Sequence, residues 1–305
     1  MVRGRGAPPF AARRRPRPPW HAGAVDGDLA PHGGGAGPAL TPEFSADWLT
    51  LREKADAAAR AVELVEPLRA VLPPPPLVVH DLGCGTGSMA RWLAPLLPQP
   101  QHWVLHDRDP ALLAHAEATV PVSAETRLGD LTDLRAEDLA GASLVTASAL
   151  LDLLTLEEVD ALAEVCVEAG CPALFTLSVA GEVELTPPEP LDLRFAAAFD
   201  DHQRRTTGGR TLLGPDAVAA ATEAFVRRGA VVHSRRSPWR LGPGELFGQW
   251  LRGWVQAACE QQPGLREHAA GYLSRRHGSE AVVGHVDLLA IGGAPCSENS
   301  GPGSG

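Results

Sequence analysis

Three carboxylates and three glycines stand along this chain in an order that suits a nucleoside. Asp81-Leu82-Gly83-Cys84-Gly85-Thr86-Gly87 closes the apolar run Val78-Val79-His80 and precedes a helical pattern, Met89-Ala90-Arg91-Trp92-Leu93. Glycine accepts the positive φ of a tight turn and lets a ligand approach the backbone where a Cβ would collide, while the following helix offers free N–H groups. Asp107 lies 24 residues beyond Gly83, in His106-Asp107-Arg108-Asp109-Pro110 at the end of a second apolar run. At the carboxyl end of a strand beside the first, such an acid can accept both hydroxyls of a ribose. Asp130, after Leu128-Gly129, is placed to accept from an adenine amino group, with Leu131 over the ring.

The spacing also selects the nucleoside. A dinucleotide fingerprint has its third glycine three positions after the second, which seats a pyrophosphate on the helix N-terminus. Here Gly87 comes two positions after Gly85, and Asp81 precedes the turn. A carboxylate in that place suits S-adenosylmethionine, which carries a sulfonium, a ribose diol and an amino-acid end but no phosphate. After a fourth apolar run, Thr146-Ala147-Ser148-Ala149-Leu150-Leu151-Asp152 supplies small and apolar residues, Ser148 among them, to lie along the methionine part. With these residues the chain resembles the class I S-adenosylmethionine-dependent methyltransferases, over about residues 40 to 292. The resemblance implies that cofactor, with Cys84 and Arg108 among its neighbours, and is silent on the methyl acceptor. It further implies a leading helix that closes over the cofactor, with Trp48 covering it and Arg52 pairing with its carboxylate. The competing reading has Trp48 packed on the sheet and Arg52 in solvent.

Methyl transfer is an in-line displacement at a carbon already activated by the sulfonium, so holding the acceptor close and aligned supplies much of the rate. A general base matters for a hydroxyl or a protonated amine and is otherwise optional. Asp152, near the end of the fourth strand, is the first candidate for orienting an acceptor; the alternative is a cap on the helix that starts near Thr155. Phe199-Asp200-Asp201-His202-Gln203-Arg204-Arg205-Thr206 places an imidazole and two guanidiniums in the expected lid. His202 is the candidate base, and Arg204 or Arg205 the candidate grip on an anionic acceptor. The alternative is a charged helix end balancing the helix dipole. Asp109, just before Pro110, reads as a helix N-cap, and His80 and His106 as facing helices. An (Asn/Asp)-Pro-Pro-(Tyr/Phe) motif is absent after the fourth strand, which speaks against methylation of a DNA base or a protein glutamine.

The elements that hold these residues alternate strand and helix. That pattern predicts an α/β fold: a doubly wound, mostly parallel seven-stranded sheet of the Rossmann-like methyltransferase type, with helical lid insertions. A leading helix is expected over 42–71, the core over 77–180, and lid and C-terminal elements over 181–293, within one domain spanning 39–293. Residues 1–38, rich in Arg, Pro and Gly, and 294–305 read as disordered tails. Trp239, Trp250, Trp254 and Phe247 are expected in the core.

Composition narrows the function. The net charge of −10 disfavours a nucleic-acid partner, and no apolar run reaches the length of a membrane span. Five cysteines show no CxxC pair and no zinc-like spacing, so buried thiols and no metal are expected. One lysine among 27 basic residues reflects a GC-rich, bacterial genome more than a need to bind phosphate. The expectation is a cytoplasmic enzyme, monomer or homodimer, acting on a small-molecule acceptor through oxygen, nitrogen or carbon. Two alternatives remain at this point: a non-catalytic S-adenosylmethionine-binding regulatory protein and a nicotinamide-dependent oxidoreductase.

Overall fold

A computed structural model describes residues 45–292. Both expected tails, Cys296 and the first residues of the leading helix lie outside that range. In chain order the strands are β1 (Leu77–Leu82), β2 (Gln101–Asp107), β3 (Ser123–Leu128), β4 (Leu144–Ser148), β5 (Ala173–Thr186), β6 (Thr206–Thr207), β7 (Arg210–Thr211), β8 (Val231–Arg236), β9 (Trp239–Leu241) and β10 (Glu280–Ile291). The helices are α1 (Ala46–Ala59), α2 (Val65–Val71), α3 (Ser88–Leu93), α4 (Pro110–Thr119), α5 (Leu156–Glu168), α6 (Leu191–Gln203), α7 (Ala217–Arg227), α8 (Glu245–Gln261) and α9 (Arg266–Arg275). No helix among the described residues is long and apolar enough to cross a membrane.

The sheet runs β3-β2-β1-β4-β5-β10-β8, the seven strands expected, and β9 joins β10 as an eighth. The first five pair in parallel, and β10 is antiparallel to both its neighbours. Parallel strands covered on both faces need apolar residues on both, so β1 and β4 are buried almost throughout. Alternation along β4 shows how the faces are divided. Leu144 packs with α2, α3 and α4, whereas Val145 and Ala147 pack with α5 and α7. A third apolar cluster joins α6, α8 and α9 to the outer ends of β5, β9 and β10; Trp239, Phe247 and Trp254 are buried there as expected, Trp250 is half-buried against it, and Phe195 joins them. β5 and β10 pair from Ala173↔Ala290 to Thr186↔Glu280, well past the ends of β1 to β4, and so form a wall above the carboxyl edge of the sheet.

One expectation is corrected, and two other helices end in ways that bear on the site. The leading segment is two helices rather than one, broken at Arg60-Ala61, where Arg60 turns extended (φ −53°, ψ 133°) and a short 3-10 turn, Val62–Leu64, follows. Pro67 explains the break. Inside a continuous helix its ring would meet the carbonyl of residue 63 and a backbone bond would be lost; as the third residue of α2 it costs neither. α3 stops at Leu93 and tightens into a 3-10 turn containing Pro95. α6 ends at Gln203, and Thr206–Thr211 forms a hairpin whose two central residues, Gly208 and Gly209, both have positive φ.

Candidate active site

Parallel pairing of β1 with β2 brings the glycine turn against the end of β2. The Cys84 N–H donates to the His106 carbonyl at 2.9 Å and continues the ladder for one residue. The Gly85 N–H then donates to Asp107 Oδ2 at 2.9 Å, while Asp107 Oδ1 accepts from the Asp109 N–H at 2.9 Å. Each carboxylate oxygen has two lone pairs, so these bonds fix the carboxylate and leave acceptor capacity on both oxygens. Gly87 has φ 85°, and a Cβ there would stand 2.7 Å from Val120 of the α4–β3 connection and 3.3 Å from Ala116 of α4. A side chain therefore fits neither the backbone nor the space at this position. Leu49 of α1 reaches to 3.1 Å of the position a Gly85 Cβ would take, and Leu150 to 3.2 Å of that at Gly83. The turn is thus roofed from both sides. Arg91 of α3 holds the roof, donating to both oxygens of Glu53 on α1 at 2.7 and 2.8 Å. Its guanidinium keeps the Glu53 carboxyl below the usual range.

Below the roof lies a polar centre that the sequence does not announce. Asp81 is 1 % exposed; its Oδ1 accepts from the Thr146 hydroxyl at 2.8 Å and its Oδ2 has no hydrogen-bond partner among the described residues. Burial pushes this carboxyl up to about 7, against the pull of the Thr146 hydroxyl. Arg60, 4 % exposed, enters from the break between α1 and α2. Its Nη2 donates to Ser88 Oγ (3.1 Å) and Ser148 Oγ (3.0 Å), Nη1 to the Ser88 carbonyl (3.4 Å), and Nε to Thr176 Oγ1 (3.4 Å). Every one of these partners is neutral. A buried cation without a hydrogen-bonded carboxylate has its desolvation cost offset only at longer range, here by Asp56, Asp287 and Asp81, and an anionic group at the start of α3 and the end of β4 could pair with it directly. Two strained residues flank it. Ala149 and Leu177, next to Ser148 and Thr176, have φ of 51° and 58°, a region costly for residues with a Cβ.

The structure brings together Asp81, Gly83, Cys84, Gly85, Gly87, Asp107 and Ser148 of the sequence-derived set, and adds Arg60, Ser88, Thr146 and Thr176. Cys84 is buried and its thiol is pushed far up by burial. Arg108 is exposed on the β2–α4 connection, next to Asp109, whose Oδ1 caps α4 by accepting from Ala111 N–H at 2.8 Å. Asp130 accepts from the N–H and hydroxyl of Thr132, both at 2.9 Å, and these bonds lower its carboxyl. It borders a hollow of about 140 Å³ shared with His106, Arg127 and Leu134, and Leu131 leans toward Gly83. His80 and His106 meet each other, Nδ1 to Nε2 at 3.0 Å, and burial pushes both down to about 4.

Other candidates have different surroundings. Arg52 donates to both oxygens of Asp56 at 3.0 to 3.2 Å and lies 4.9 Å over the Trp239 ring, which Trp48 meets edge-on. Thr155, with Glu158, forms the capping box of α5, so the helix cap that competed for Asp152 is already supplied. Asp152 sits in the 3-10 turn Leu151–Leu153 beside Leu150. His202 faces Glu260 of α8 at 3.2 Å and Arg205 at 3.3 Å, and Arg204 is paired with Asp216 at 2.6 Å.

Arg60 escaped the sequence reading because it is one arginine among many in a segment taken as continuous helix. The usable signal was Pro67, which places an interruption upstream of itself.

A strand order of this kind, with an antiparallel strand inserted beside β5 and the glycine turn at β1, is the Rossmann-like methyltransferase architecture. The family described as "Methyltransferase domain" matches residues 79–169, from β1 through α5. Residues 79–169 are thus similar to a methyltransferase domain, carried on a sheet of the order that such domains have. Among solved structures, DesVI from Streptomyces venezuelae is similar at 15% identity, with 81% of this chain and 96% of that one covered and a TM-score of 0.42. The cyclopropane synthase MmaA2 from Mycobacterium tuberculosis gives 13%, 75%, 83% and 0.41. An S-adenosylmethionine-dependent methyltransferase from Mesorhizobium loti gives 19%, 72%, 96% and 0.38. No curated protein sequence matches the chain. The residues at the turn fit the cofactor: an unpartnered buried carboxylate oxygen at Asp81, a cation with neutral partners at Arg60 and a fixed strand-end acid at Asp107 face the pieces a sulfonium amino acid and a ribose would present.

Proposed function

We propose that the protein transfers a methyl group from S-adenosylmethionine to a small-molecule acceptor, and that Arg60 receives the cofactor's carboxylate. The observation that carries this reading is the buried guanidinium of Arg60, held between Ser88 and Ser148 by neutral groups alone. Asp81 Oδ2 takes the cofactor's ammonium, Asp107 its ribose hydroxyls, and Asp130 with Leu131 its adenine. Bound there, S-adenosylmethionine supplies an electrophilic methyl group for in-line displacement. Asp152, in the turn after β4, orients the acceptor from the same edge of the sheet. His202 and Arg204, engaged by Glu260 and Asp216, do structural work at the end of α6.

A small acceptor is favoured by what stands over the carboxyl edge. α1 crosses the turn, and α6, α8 and α9 pack their aromatic residues on the wall formed by β5, β9 and β10. That cover favours a small acceptor over a polymer laid in a groove. The test is titration calorimetry with S-adenosylhomocysteine and, in parallel, NAD, followed by incubation with labelled S-adenosylmethionine and a small-molecule extract. The reading expects S-adenosylhomocysteine to bind, NAD not to bind, and label to appear in a small product. Absence of heat with S-adenosylhomocysteine overturns it.

A further inference from the structure

Asp287 of β10 is fully buried, and nothing said so far gives it a task. Its Oδ2 accepts from the Ala61 N–H at 2.8 Å, across the break between α1 and α2. Its Oδ1 accepts from the Leu177 N–H at 2.7 Å and from the Ser237 hydroxyl. One carboxylate thus ties together the residue after Arg60, the strained residue after Thr176, and the connection between β8 and β9. These are the segments that carry the Arg60 guanidinium and one of its hydroxyl partners. Burial raises the Asp287 carboxyl, and the three donors with the Arg60 charge pull it back.

The geometry points to Asp287 as a positioning residue for methyl transfer: by holding Ala61 and Leu177, it sets the Arg60 guanidinium at the height of Ser148 and Thr176, where it meets the cofactor's carboxylate. This rests on the assignment of Arg60 made above. A helix that continued through residue 60 would keep this side chain on the α1 surface. The break turns it into the sheet, and the Ala61 N–H freed by the break has Asp287 as its acceptor. Leu177 pays for its left-handed backbone in the same way, by an N–H aimed at a full carboxylate charge. The role is therefore to fix geometry, with no contact to the substrate.

The test uses the full chain and two ligands that differ in one group: S-adenosylhomocysteine and its decarboxylated analogue, which keeps the amine. Asp287→Asn presents an NH2 toward one of two N–H donors, so it disturbs the position of Arg60 without changing the charge of the guanidinium. Calorimetry should show affinity for S-adenosylhomocysteine falling at least tenfold, with affinity for the analogue within twofold of wild type. Should Asp287→Asn fail to fold, Ala61→Pro removes the same hydrogen bond at a residue whose φ of −74° a proline accepts, after a residue already extended as proline requires. That variant should weaken S-adenosylhomocysteine several-fold and spare the analogue. Equal loss for both ligands means a merely structural carboxylate and overturns the proposal, as does no loss for either. If wild type binds neither ligand, it is the cofactor assignment that fails.

Discussion

Arg276 and Arg60 are both withdrawn from water, at 2 % and 4 % exposed, yet their surroundings differ in kind. Arg276, just after α9, donates to the Asp192 carboxylate and the Pro187 carbonyl, while Tyr272 donates to the same Asp192 oxygen at 2.6 Å. Asp192 in turn accepts from the Glu189 N–H at 2.9 Å. Its charge is cancelled on the spot, and the result is a rivet between α6 and α9 in the lid. Arg60 hydrogen-bonds only hydroxyls and a carbonyl, at distances up to 3.4 Å, and its guanidinium lies 5.4 Å over the Trp92 ring. Carboxylates of Asp56, Asp81 and Asp287 surround it at longer range without hydrogen-bonding it. The same side chain is thus used once to close a structure and once to stay ready for a ligand.

That contrast breaks down if the two arginines respond alike to substitution. Arg276→Met leaves the Asp192 carboxylate buried without its cation, and the expected loss is about 3–5 kcal/mol in urea-induced unfolding, with cofactor affinity of the folded fraction unchanged. Arg60→Met removes a buried cation that no carboxylate neutralises directly, so the same measurement should show less than about 1 kcal/mol of change, of either sign. Similar large losses at both positions would show that Arg60 too is a rivet.

Asp107→Ala sharpens the ligand side. It removes the acceptor of the Gly85 N–H as well as the proposed ribose contact, so binding of S-adenosylhomocysteine should weaken by roughly tenfold or more, with a stability cost of about 1 kcal/mol. Unchanged affinity would take Asp107 out of the site.

Asp81 gives an effect with a definite sign. Its carboxyl titrates at about 7 in the free protein, whereas an unfolded chain has it near 3.8. The folded protein therefore keeps a proton that the unfolded chain has lost, and its stability falls as pH rises from about 4 to about 7. An ammonium seated on Asp81 favours the carboxylate, so affinity for S-adenosylhomocysteine should rise as pH climbs toward 7, by at most about tenfold per unit, and level off above it. Asp81→Asn should flatten both profiles; a pH dependence that survives this change belongs to another group.

Much of this was legible in the residues. β1, α4 and α5 begin where the apolar run, the Asp109-Pro110 cap and Thr155 place them, because each start is set by local rules of capping and periodicity. The glycine turn and Asp107 were readable for the same reason: their geometry is local to one strand end and its neighbour. The Arg60 centre was not. Its members come from α1, α3, β4, β5 and β10, and one of its hydrogen bonds joins residues as far apart as Ala61 and Asp287. Only the register of the sheet brings them together, and no spacing along the chain encodes it. The surroundings of the lid candidates were not legible for a related reason. Arg204 and His202 carry chemistry by type, but their partners Asp216 and Glu260 lie on other elements, and those partners decide what the side chains do.

The most direct measurement is a two-by-two calorimetric cycle: wild type and Arg60→Met, each titrated with S-adenosylhomocysteine and with its decarboxylated analogue. The account predicts that wild type prefers S-adenosylhomocysteine by roughly a hundredfold, about 2.7 kcal/mol, and that Arg60→Met binds the two alike. A preference for the carboxylate that persists undiminished in Arg60→Met would contradict it.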